Sequence, residues 1–439
     1  MQSTARRRAR SLLIGACFVC SAAAAAPTKP QVIDELRLAQ AVTLALEHNP
    51  DLAVAAYEVK AADARQVQSR LRRNPDLALD FEDFAGSGAY RGTDSMQSTL
   101  SLSQVIELGD KRGQRMSVAA ANREMTGIDY QARALDVLGE LTRRFVDVAA
   151  AQEQVKLAES ALTLIQRTQE AIAARVKAAR SPLADLSRAR IALLRAELDL
   201  RQAQSVFASS RVQLSALWGD STATFNRVQA NLFDLTPLRP YDDLKAALER
   251  NPDFLRLASQ TRLREAEWRL AQAQARPNLT VGIGVRRFAA THDTGLVAGF
   301  SVGLPLFDRN QGAVAEAAER RRQSQAENDA ARIRAEATLY ALYRQASISR
   351  ETVERLRRNA LPEARTALEQ SQYAYDRGRF SYLDLAAAEQ ELLALKGAII
   401  VAAADFHRLT ADIERLTGEP LTATQPQPQP ATDLRRSLP

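Results

Sequence analysis

The chain has 439 residues and a formal net charge of +7, and 25% of its residues are charged. It contains two cysteines, Cys17 and Cys20, and both lie near the amino terminus. If the segment that holds them is removed, the remaining chain has no disulfide, no thiolate catalyst and no cysteine metal site.

The amino terminus has the order of a secretory signal. A basic group comes first, an apolar run follows at 12–19, and small residues precede Pro27. We predict that residues 1–25 are removed by cleavage after Ala25. The net charge then falls from +7 to +3, so the basic excess is weak evidence for nucleic acid and we predict no such partner. The basic group consists of Arg6, Arg7, Arg8 and Arg10.

A second interpretation of the amino terminus concerns Cys17. Residues 14–17 resemble a lipoprotein cleavage site, at which Cys17 would be acylated and retained. Beyond the signal, no apolar stretch of the sequence approaches the roughly 18–20 residues of a spanning helix. A membrane protein of this sequence would therefore need a closed β-barrel, because every backbone polar group inside a bilayer must be paired.

The sequence contains an internal duplication. Residues 45–52 (ALEHNPDL) recur at 247–254 (ALERNPDF), and the offset of 202 holds for the next 25 residues. Two copies of this length indicate a duplicated architecture rather than a short-period solenoid. We predict a first structural repeat at 26–218, a connector at 219–240 and a second structural repeat at 241–418.

Each repeat is predicted to contain a β-hairpin. In the second repeat Leu279, Val281 and Ile283 alternate with small or polar residues, which is typical of a strand with one apolar face. The predicted strands lie near 76–84 and 96–106 in the first repeat, and near 278–288 and 295–306 in the second.

Most of the remaining chain is predicted to be helical. Residues 111–177 and 311–377 contain mainly strong helix formers, and at 1.5 Å per residue each stretch would be about 100 Å long. Pro362 predicts a kink or local irregularity in the second stretch. Each stretch ends in a short turn, after which helix resumes at 183–217 and 383–417. Each repeat therefore contains a long helical hairpin.

The number of strands bears on assembly. Four strands cannot close a barrel, two chains would supply eight strands, and three would supply twelve and leave a lumen. The small and polar residues on one strand face fit a water-filled lumen. The predicted fold class is mainly α with a membrane β-barrel, built from long helical hairpins and four β-strands per chain. The alternative is a soluble periplasmic coiled-coil scaffold capped by a small sheet.

Residues suited to catalysis or metal binding are scarce. His48, His292 and His407 are scattered along the chain, and four methionines give no thioether ladder for copper. Acidic residues such as Glu140 and Asp147 are most simply solvated or paired with arginines one helical turn away. No phosphate-binding loop or nucleophile arrangement is present in the sequence. We therefore predict no enzyme, no cofactor and no metal site.

Several segments together resemble one known family. The Asn-Pro-Asp motif that heads a helix in both repeats is one of them. Together the segments resemble the TolC-like outer-membrane efflux proteins over roughly residues 35–418. Their sequences are most similar to the heavy-metal branch of that family, of the cobalt-zinc-cadmium type. The other segments are SLSQVIELGDKRG at 101–113, SVGLPLFDRNQG at 301–312 and GRFSYLDLAAAEQ at 378–390.

The resemblance implies an assembly and a set of partners. It implies a homotrimer in which a twelve-stranded barrel in the outer membrane continues into a periplasmic barrel of helices. It also implies a periplasmic adaptor protein that grips the helical tip, and an inner-membrane pump of the resistance-nodulation-division type. The predicted function is a passive exit duct of a tripartite system, with heavy-metal cations as the cargo. The alternatives within the family are ducts for organic drugs or for secreted proteins.

The resemblance also implies a gate at the periplasmic entrance. The family narrows at aspartates after the second hairpin turn; the first of these matches Asp384, whereas the second falls on Ala387. Three symmetry-related carboxylates at Asp384 would favour cations and resist anions. A helix-start role for Asp384 is the alternative, and both roles can hold together. Arg379 is a candidate for keeping the tip closed, with a solvated loop arginine as its alternative.

The two hairpin turns are the predicted contact surface for the adaptor. The connector 219–240 is expected to form part of a belt around the rod, as in the family. After Gly418 the chain is rich in glutamine and proline, so residues 419–439 are predicted to be a flexible tail. The predicted adaptor-contacting residues are Arg180, Ser181, Pro182, Gly378, Phe380 and Ser381.

Overall fold

The computed structural model describes residues 33–419. The predicted signal 1–25, with Cys17, lies outside these residues. So does the predicted tail 419–439, except for its first residue.

The two halves of the described chain have the same order of elements, which is a helix pair, a β-hairpin and a long helical hairpin. The first half contains α1 (Leu38–His48), α2 (Pro50–Ser69), β2 (Asp76–Glu82), β3 (Gln97–Glu107), α3 (Lys111–Lys177) and α4 (Leu183–Ser215). The second half contains α5 (Tyr241–Leu248), α6 (Pro252–Gln274), β5 (Asn278–Phe288), β6 (Thr294–Val302), α7 (Gln311–Arg355), α8 (Leu361–Asp376) and α9 (Tyr382–Thr417).

The repeated Asn-Pro-Asp motif joins each helix pair to the end of a hairpin. In the first half, Asn49 caps α2 by accepting the Leu52 N–H at 3.0 Å, and its amide donates to the Leu217 carbonyl at 2.8 Å. Asn251 caps α6 by accepting the Asp253 N–H at 2.7 Å, and its amide donates to the carbonyls of Arg415 and Leu416. Proline follows in both copies because the first helical position needs no N–H donor.

The four predicted strands form one antiparallel sheet in the order β2-β3-β5-β6. The central pair β3 and β5 comes from different halves, so the sheet joins the two repeats. Strand β6 ends at Val302, earlier than the predicted boundary near 306. Pro305 lacks an N–H, so it cannot continue the hydrogen-bond ladder.

The structure also contains a small sheet that the sequence pattern does not predict. Strand β1 (Ile33–Leu36) pairs in parallel with β4 (Phe225–Val228), which lies inside the predicted connector. Phe225 and Val228 are buried. Four-residue strands are too short to show an alternating pattern, and their pairing depends on residues far apart in the chain.

The two long helices differ in continuity. Helix α3 is unbroken over 67 residues, whereas the second stretch contains a π-helical segment at Leu356–Ala360 between α7 and α8. Pro362 is the second residue after this segment, and its ring would clash with the carbonyl of the residue four positions earlier in a regular α-helix. The wider π turn relieves that conflict, so the predicted irregularity at Pro362 is confirmed.

The elements lie side by side in three levels along the long helices. The sheet forms the first level, the helices α2-α3-α6-α7 form the second, and the helices α4-α3-α9-α8 form the third. At every level one edge belongs to the first half of the chain and the other edge to the second half.

A hydrophobic core lies where the small sheet meets the long helices. Leu36, Leu141, Leu214 and Phe225 are fully buried there, and Trp218 packs against Phe225 with its ring centroid 6.3 Å away. Among residues 33–419, no helix is both long enough and apolar enough to cross a bilayer.

Candidate gate at the hairpin tips

The two long hairpins end in turns of the same construction. At the end of α3 the Arg180 N–H donates to the Arg175 carbonyl at 2.8 Å, and at the end of α8 the Arg379 N–H donates to the Ala374 carbonyl at 2.9 Å. Ala179 and Gly378 take the left-handed conformation that this helix ending requires. We call the two turns, 178–182 and 377–381, the tips.

Arg175 binds the two tips together. Its guanidinium donates to the Tyr375 carbonyl at 2.9 Å and lies 4.6 Å from the centre of the Tyr375 ring. On its own hairpin it donates to the Ser181 hydroxyl at 3.3 Å. A planar guanidinium can stack and donate several hydrogen bonds at the same time, which a lysine cannot do. The link places both tips at the same level.

An apolar cluster lies directly behind this link. Tyr375 and Tyr382 are buried there with side chains from both hairpins, and the Tyr375 hydroxyl has no hydrogen-bond partner among the described residues. Burial raises the pKa of the Tyr382 hydroxyl. The remaining buried members of the cluster are Ile172, Leu186, Ala189 and Leu385.

A buried carboxylate joins the hairpins above the cluster. Glu389 on α9 is 5% exposed, and it accepts a hydrogen bond from the Thr168 hydroxyl on α3 at 2.5 Å. Burial raises the pKa of the Glu389 carboxyl, and the hydrogen bond from Thr168 opposes that shift. Neither Glu389 nor Thr168 was identified from the sequence. The available signal was the helical spacing of Glu389 with the apolar residues Leu385 and Leu392.

Asp384 is exposed and forms a capping box at the start of α9. The Ser381 hydroxyl and N–H donate to its carboxylate at 2.7 and 2.9 Å, and its own N–H donates to the Ser381 hydroxyl oxygen at 3.3 Å. These hydrogen bonds lower the pKa of the Asp384 carboxyl, with the hydroxyl contact as the largest cause. The helix-start role of Asp384 is therefore present within one chain.

Some of the other predicted tip residues form hydrogen bonds within the chain, and the rest are exposed to solvent. Ser181 accepts the hydrogen bond from Arg175, and Ser381 belongs to the capping box. Arg379 is exposed, and within residues 33–419 its side chain has no hydrogen bond or ion pair. Arg180, Pro182, Gly378 and Phe380 are also exposed.

The polar face of the sheet is joined across three strands by one arginine. Arg286 on β5 forms an ion pair with Glu82 at 3.0 Å and donates to Thr99 and Gln97. On the same face, a methyl group added to Gly284 would lie 2.8 Å from the Leu100 carbonyl oxygen, so only glycine fits. Alternate residues of β5 point away from this face and are exposed, including Ile283 at 68%.

The histidines are dispersed in the structure. His407 is mostly enclosed, its Nε2 lies 3.0 Å from the Leu232 carbonyl, and burial lowers its pKa. His48 lies 3.9 Å from Glu47, and His292 occupies a left-handed position in the β5–β6 turn. No group of three or more potential metal-binding side chains occurs within the described part of the chain.

The fold matches those of crystallised outer-membrane proteins. Over 89% of this chain and 94% of the other, it superposes on CusC with a TM-score of 0.75 and 17% identity. VceC from Vibrio cholerae gives a TM-score of 0.74 with 19% identity, over 88% of this chain and 97% of that one. The duplicated hairpins and four-stranded sheet thus define the TolC-like fold.

Sequence comparisons give the family. The outer membrane efflux protein model matches residues 41–220 and 244–419. The cobalt-zinc-cadmium resistance protein CzcC of Cupriavidus metallidurans is 30% identical over 384 residues, which cover 87% of this chain and 90% of that protein. The nickel-cobalt-cadmium resistance protein NccC of Alcaligenes xylosoxydans xylosoxydans is 27% identical, over 66% and 65% of the two chains. The chain belongs to the outer membrane efflux protein family, and the predicted resemblance to its heavy-metal branch is confirmed.

Proposed function

We propose that three copies of this chain form a passive exit duct through the outer membrane, and that the helical tips receive metal cations from a periplasmic adaptor and an inner-membrane pump. The duct performs no chemistry. The observation that carries the proposal is that each level of the molecule has two open edges, one from each half of the chain.

The edges of the four-stranded sheet support closure of a barrel by several copies of the chain. Strands β2 and β6 are its outer strands, and each has one backbone edge without a strand partner within the described chain. An exposed strand edge is a template for pairing with another strand. If β6 of one copy pairs with β2 of the next, three copies give twelve strands in a closed ring with a lumen.

The alternation of the strands supports a membrane position. The exposed face of β5 carries Val281, Ile283 and Val285, whereas the opposite face carries Thr280, Gly282, Gly284 and Arg286. A barrel in a bilayer has its apolar face toward lipid and its polar face toward the lumen. The helices would then extend into the periplasm, with the tips at the far end.

The tips support a gate that can open. Beside the apolar cluster, only a few polar contacts hold the two hairpins together here, among them the Arg175 link and the pair of Thr168 and Glu389. Asp384 stands beside this region with an exposed carboxylate. In a threefold ring the three copies of Asp384 would form a negative constriction, and Arg379 would be free to contact a neighbouring chain. The exposed tip residues Arg180 and Phe380 would face the adaptor.

The cargo is proposed from the relatives. CzcC and NccC are named for resistance to cobalt, zinc, cadmium and nickel. A drug or secreted-protein duct is the alternative, and a more distant relative, OpmQ of Pseudomonas putida, is named for pyoverdine export at 24% identity. Deletion of the gene in its host should lower tolerance to zinc, cobalt or cadmium. Unchanged metal tolerance with lost tolerance to organic compounds would instead favour the drug duct.

The assembly is tested on the purified protein. Mass measurement in mild detergent should give three chains per particle, and the protein should fractionate with the outer membrane and migrate differently after heating. A stable monomer or dimer would contradict the duct. Recovery of the protein in the soluble periplasmic fraction would favour the coiled-coil scaffold.

A further inference from the structure

The third level, formed by α4-α3-α9-α8, ends in the tips, and its two edges carry charges that have no ion-pair partner among the described residues. Helices α4 and α8 are the outer helices of this level, and α3 and α9 lie between them. Nine charged side chains on them are exposed and make no ion pair with any residue of 33–419. Three of these are Asp199 and Arg201 on α4 and Asp376 on α8. The other six are Arg190, Arg195 and Glu197 on α4, and Glu363, Arg365 and Glu369 on α8.

These charges match in height above the tips. Arg175 fixes the two tips at one level, α4 rises from its tip, and α8 descends to its own. Arg190 is the eighth residue of α4, and Glu369 is the eighth residue from the end of α8. Rotation about an axis along the rod preserves height. In a ring of copies, residues equally distant from the tips therefore meet across the junction.

The two other pairs are also close in height. Arg195 is the thirteenth residue of α4, and Glu363 is the fourteenth from the end of α8, so at 1.5 Å per residue they differ by about 1.5 Å. Glu197 is the fifteenth and Arg365 the twelfth, a difference of about 4.5 Å. Long side chains cover such differences readily.

The two residues of each pair also lie on the same face of the helix layer. One groove, lined by Arg365 with Lys396 and Ile399 of α9, opens on one face of the layer. A second groove is lined by Asp199 with Leu393 and Gly397 of α9. Gly397 lies about 100° around α9 from Lys396, so this groove opens on the other face. We call these the first face and the second face.

Helical spacing assigns the six charges to the two faces. Glu197 is two residues from Asp199, about 200° around the helix, so it lies on the first face together with Arg190, seven residues earlier. Glu369 lies on that face as well, one turn from Arg365. Arg195 is one turn from Asp199 and lies on the second face. Glu363, two residues from Arg365, also lies on the second face.

We propose that α4 of one copy packs against α8 of the next copy, and that Arg190 pairs with Glu369, Arg195 with Glu363, and Glu197 with Arg365. This inference rests on the proposed trimer and adds the residues that join its copies near the gate. Opposite charges face each other in all three pairs, on both faces of the layer. One register of the two helices satisfies all of them.

The centre of this junction is apolar. Ile191, Leu194 and Leu198 lie along the outer side of α4 and are 51%, 59% and 61% exposed. On α8, Tyr373 is 54% exposed and lies on the side opposite the buried Ala364 and Ser371. A hydrophobic centre flanked by polar pairs is the usual arrangement of a protein interface.

Cross-linking tests the register directly. In a background with Cys17 and Cys20 replaced by alanine, the pair Arg190→Cys and Glu369→Cys should give covalent dimers and trimers with a short bis-maleimide. The control pair Arg190→Cys and Glu363→Cys uses the same two helices on opposite faces and at different heights. It should give no cross-linked ladder. Equal yields from both pairs would overturn the register.

Charge reversal provides the second test. Arg190→Glu and Glu369→Arg should each lower the temperature at which the particle dissociates into monomers, and the double variant should restore it. Added salt should reduce the effect of each single variant, since exposed ion pairs are screened. Trimeric particles with no cross-link and no rescue would refute the junction but leave the proposed duct intact. A wild-type protein that is monomeric would refute both.

Discussion

The Thr168 hydroxyl donates to the Glu389 carboxylate at 2.5 Å across the interface between α3 and α9. This hydrogen bond joins the two hairpins of one chain in a region that is otherwise apolar, close to the tips. A hydrogen bond to a charged group at this distance is strong, yet burial opposes the charge itself. We therefore expect the stability of the contact between the two hairpins to depend on pH.

The first prediction concerns that dependence. The pKa of Glu389 is raised above its ordinary value of 4.5 by burial. For an acid with a raised pKa in the folded state, the stabilising contribution is complete below pH 4.5 and is lost as the pH rises through the raised pKa. Between the two pKa values, the free energy of unfolding falls by ~1.4 kcal/mol per pH unit. Thermal unfolding should thus occur at lower temperature as the pH rises across this window.

The variant Glu389→Gln should remove this pH dependence. Glutamine can still accept the hydrogen bond from Thr168 but cannot ionise. At neutral pH this variant should unfold at a higher temperature than the wild type, as followed by circular dichroism. Glu391→Gln, at an exposed position two residues away, is the matched control. If the two variants show the same profile, the buried carboxylate does not control the contact.

The second prediction concerns Arg175. Arg175→Lys keeps the charge but loses the planar stack on Tyr375 and part of the hydrogen bonding. Loss of a hydrogen bond from a charged donor costs ~1.5–3 kcal/mol. The tips should separate more readily, which we expect to observe as higher conductance of the reconstituted channel and faster proteolysis at the turns. Arg180→Lys is the control, because Arg180 is exposed. Unchanged conductance and proteolysis in Arg175→Lys would show that the link does not hold the tips closed.

The third prediction separates the charge of Asp384 from its capping role. Asp384→Asn removes the charge, whereas Ser381→Ala removes the hydroxyl of the capping box and keeps the charge. If three carboxylates form a cation-selective ring, selectivity and block by divalent cations should fall in Asp384→Asn and persist in Ser381→Ala.

Asp185 supplies the control for this ring. It is the third residue of α4, the position that Asp384 holds in α9, but it lies 3.5 Å from Arg188 in an ion pair. Asp185→Asn should leave selectivity unchanged in single-channel recordings. Equal loss of selectivity in Asp185→Asn and Asp384→Asn, with assembly intact, would mean that the ring is not specific to the second hairpin.

The fourth prediction concerns the faces of β5. Ile283→Arg places a charge on the exposed apolar face and should cost about 2–4 kcal/mol if that position lies near the bilayer midplane. Thr280→Arg places the same side chain on the face that contains Arg286, and it should cost much less. The yield of folded trimer in lipid vesicles measures both. Similar losses in the two variants would contradict a lipid-facing Ile283.

The long helices and the sheet could be predicted from the sequence because their patterns are local. A proline-free run of strong helix formers is sufficient to predict α3, and Pro362 alone predicts the interruption before α8. The alternation of apolar and small residues from Leu279 to Val285 likewise predicts β5. Because the chain is duplicated, a pattern in one half predicts the same element in the other half.

The remaining features depend on contacts between distant segments. The pairing of β1 with β4, the link from Arg175 to Tyr375 and the burial of Glu389 against Thr168 each join residues about 190 to 220 positions apart. Sequence period indicates which side of a helix is apolar, but it does not say which helix covers that side. The sequence alone thus determined the long helices, the four strands of the larger sheet and the duplication. Only the tertiary structure decided which polar groups meet between the hairpins and which edges remain open, because those depend on how the two halves pack together.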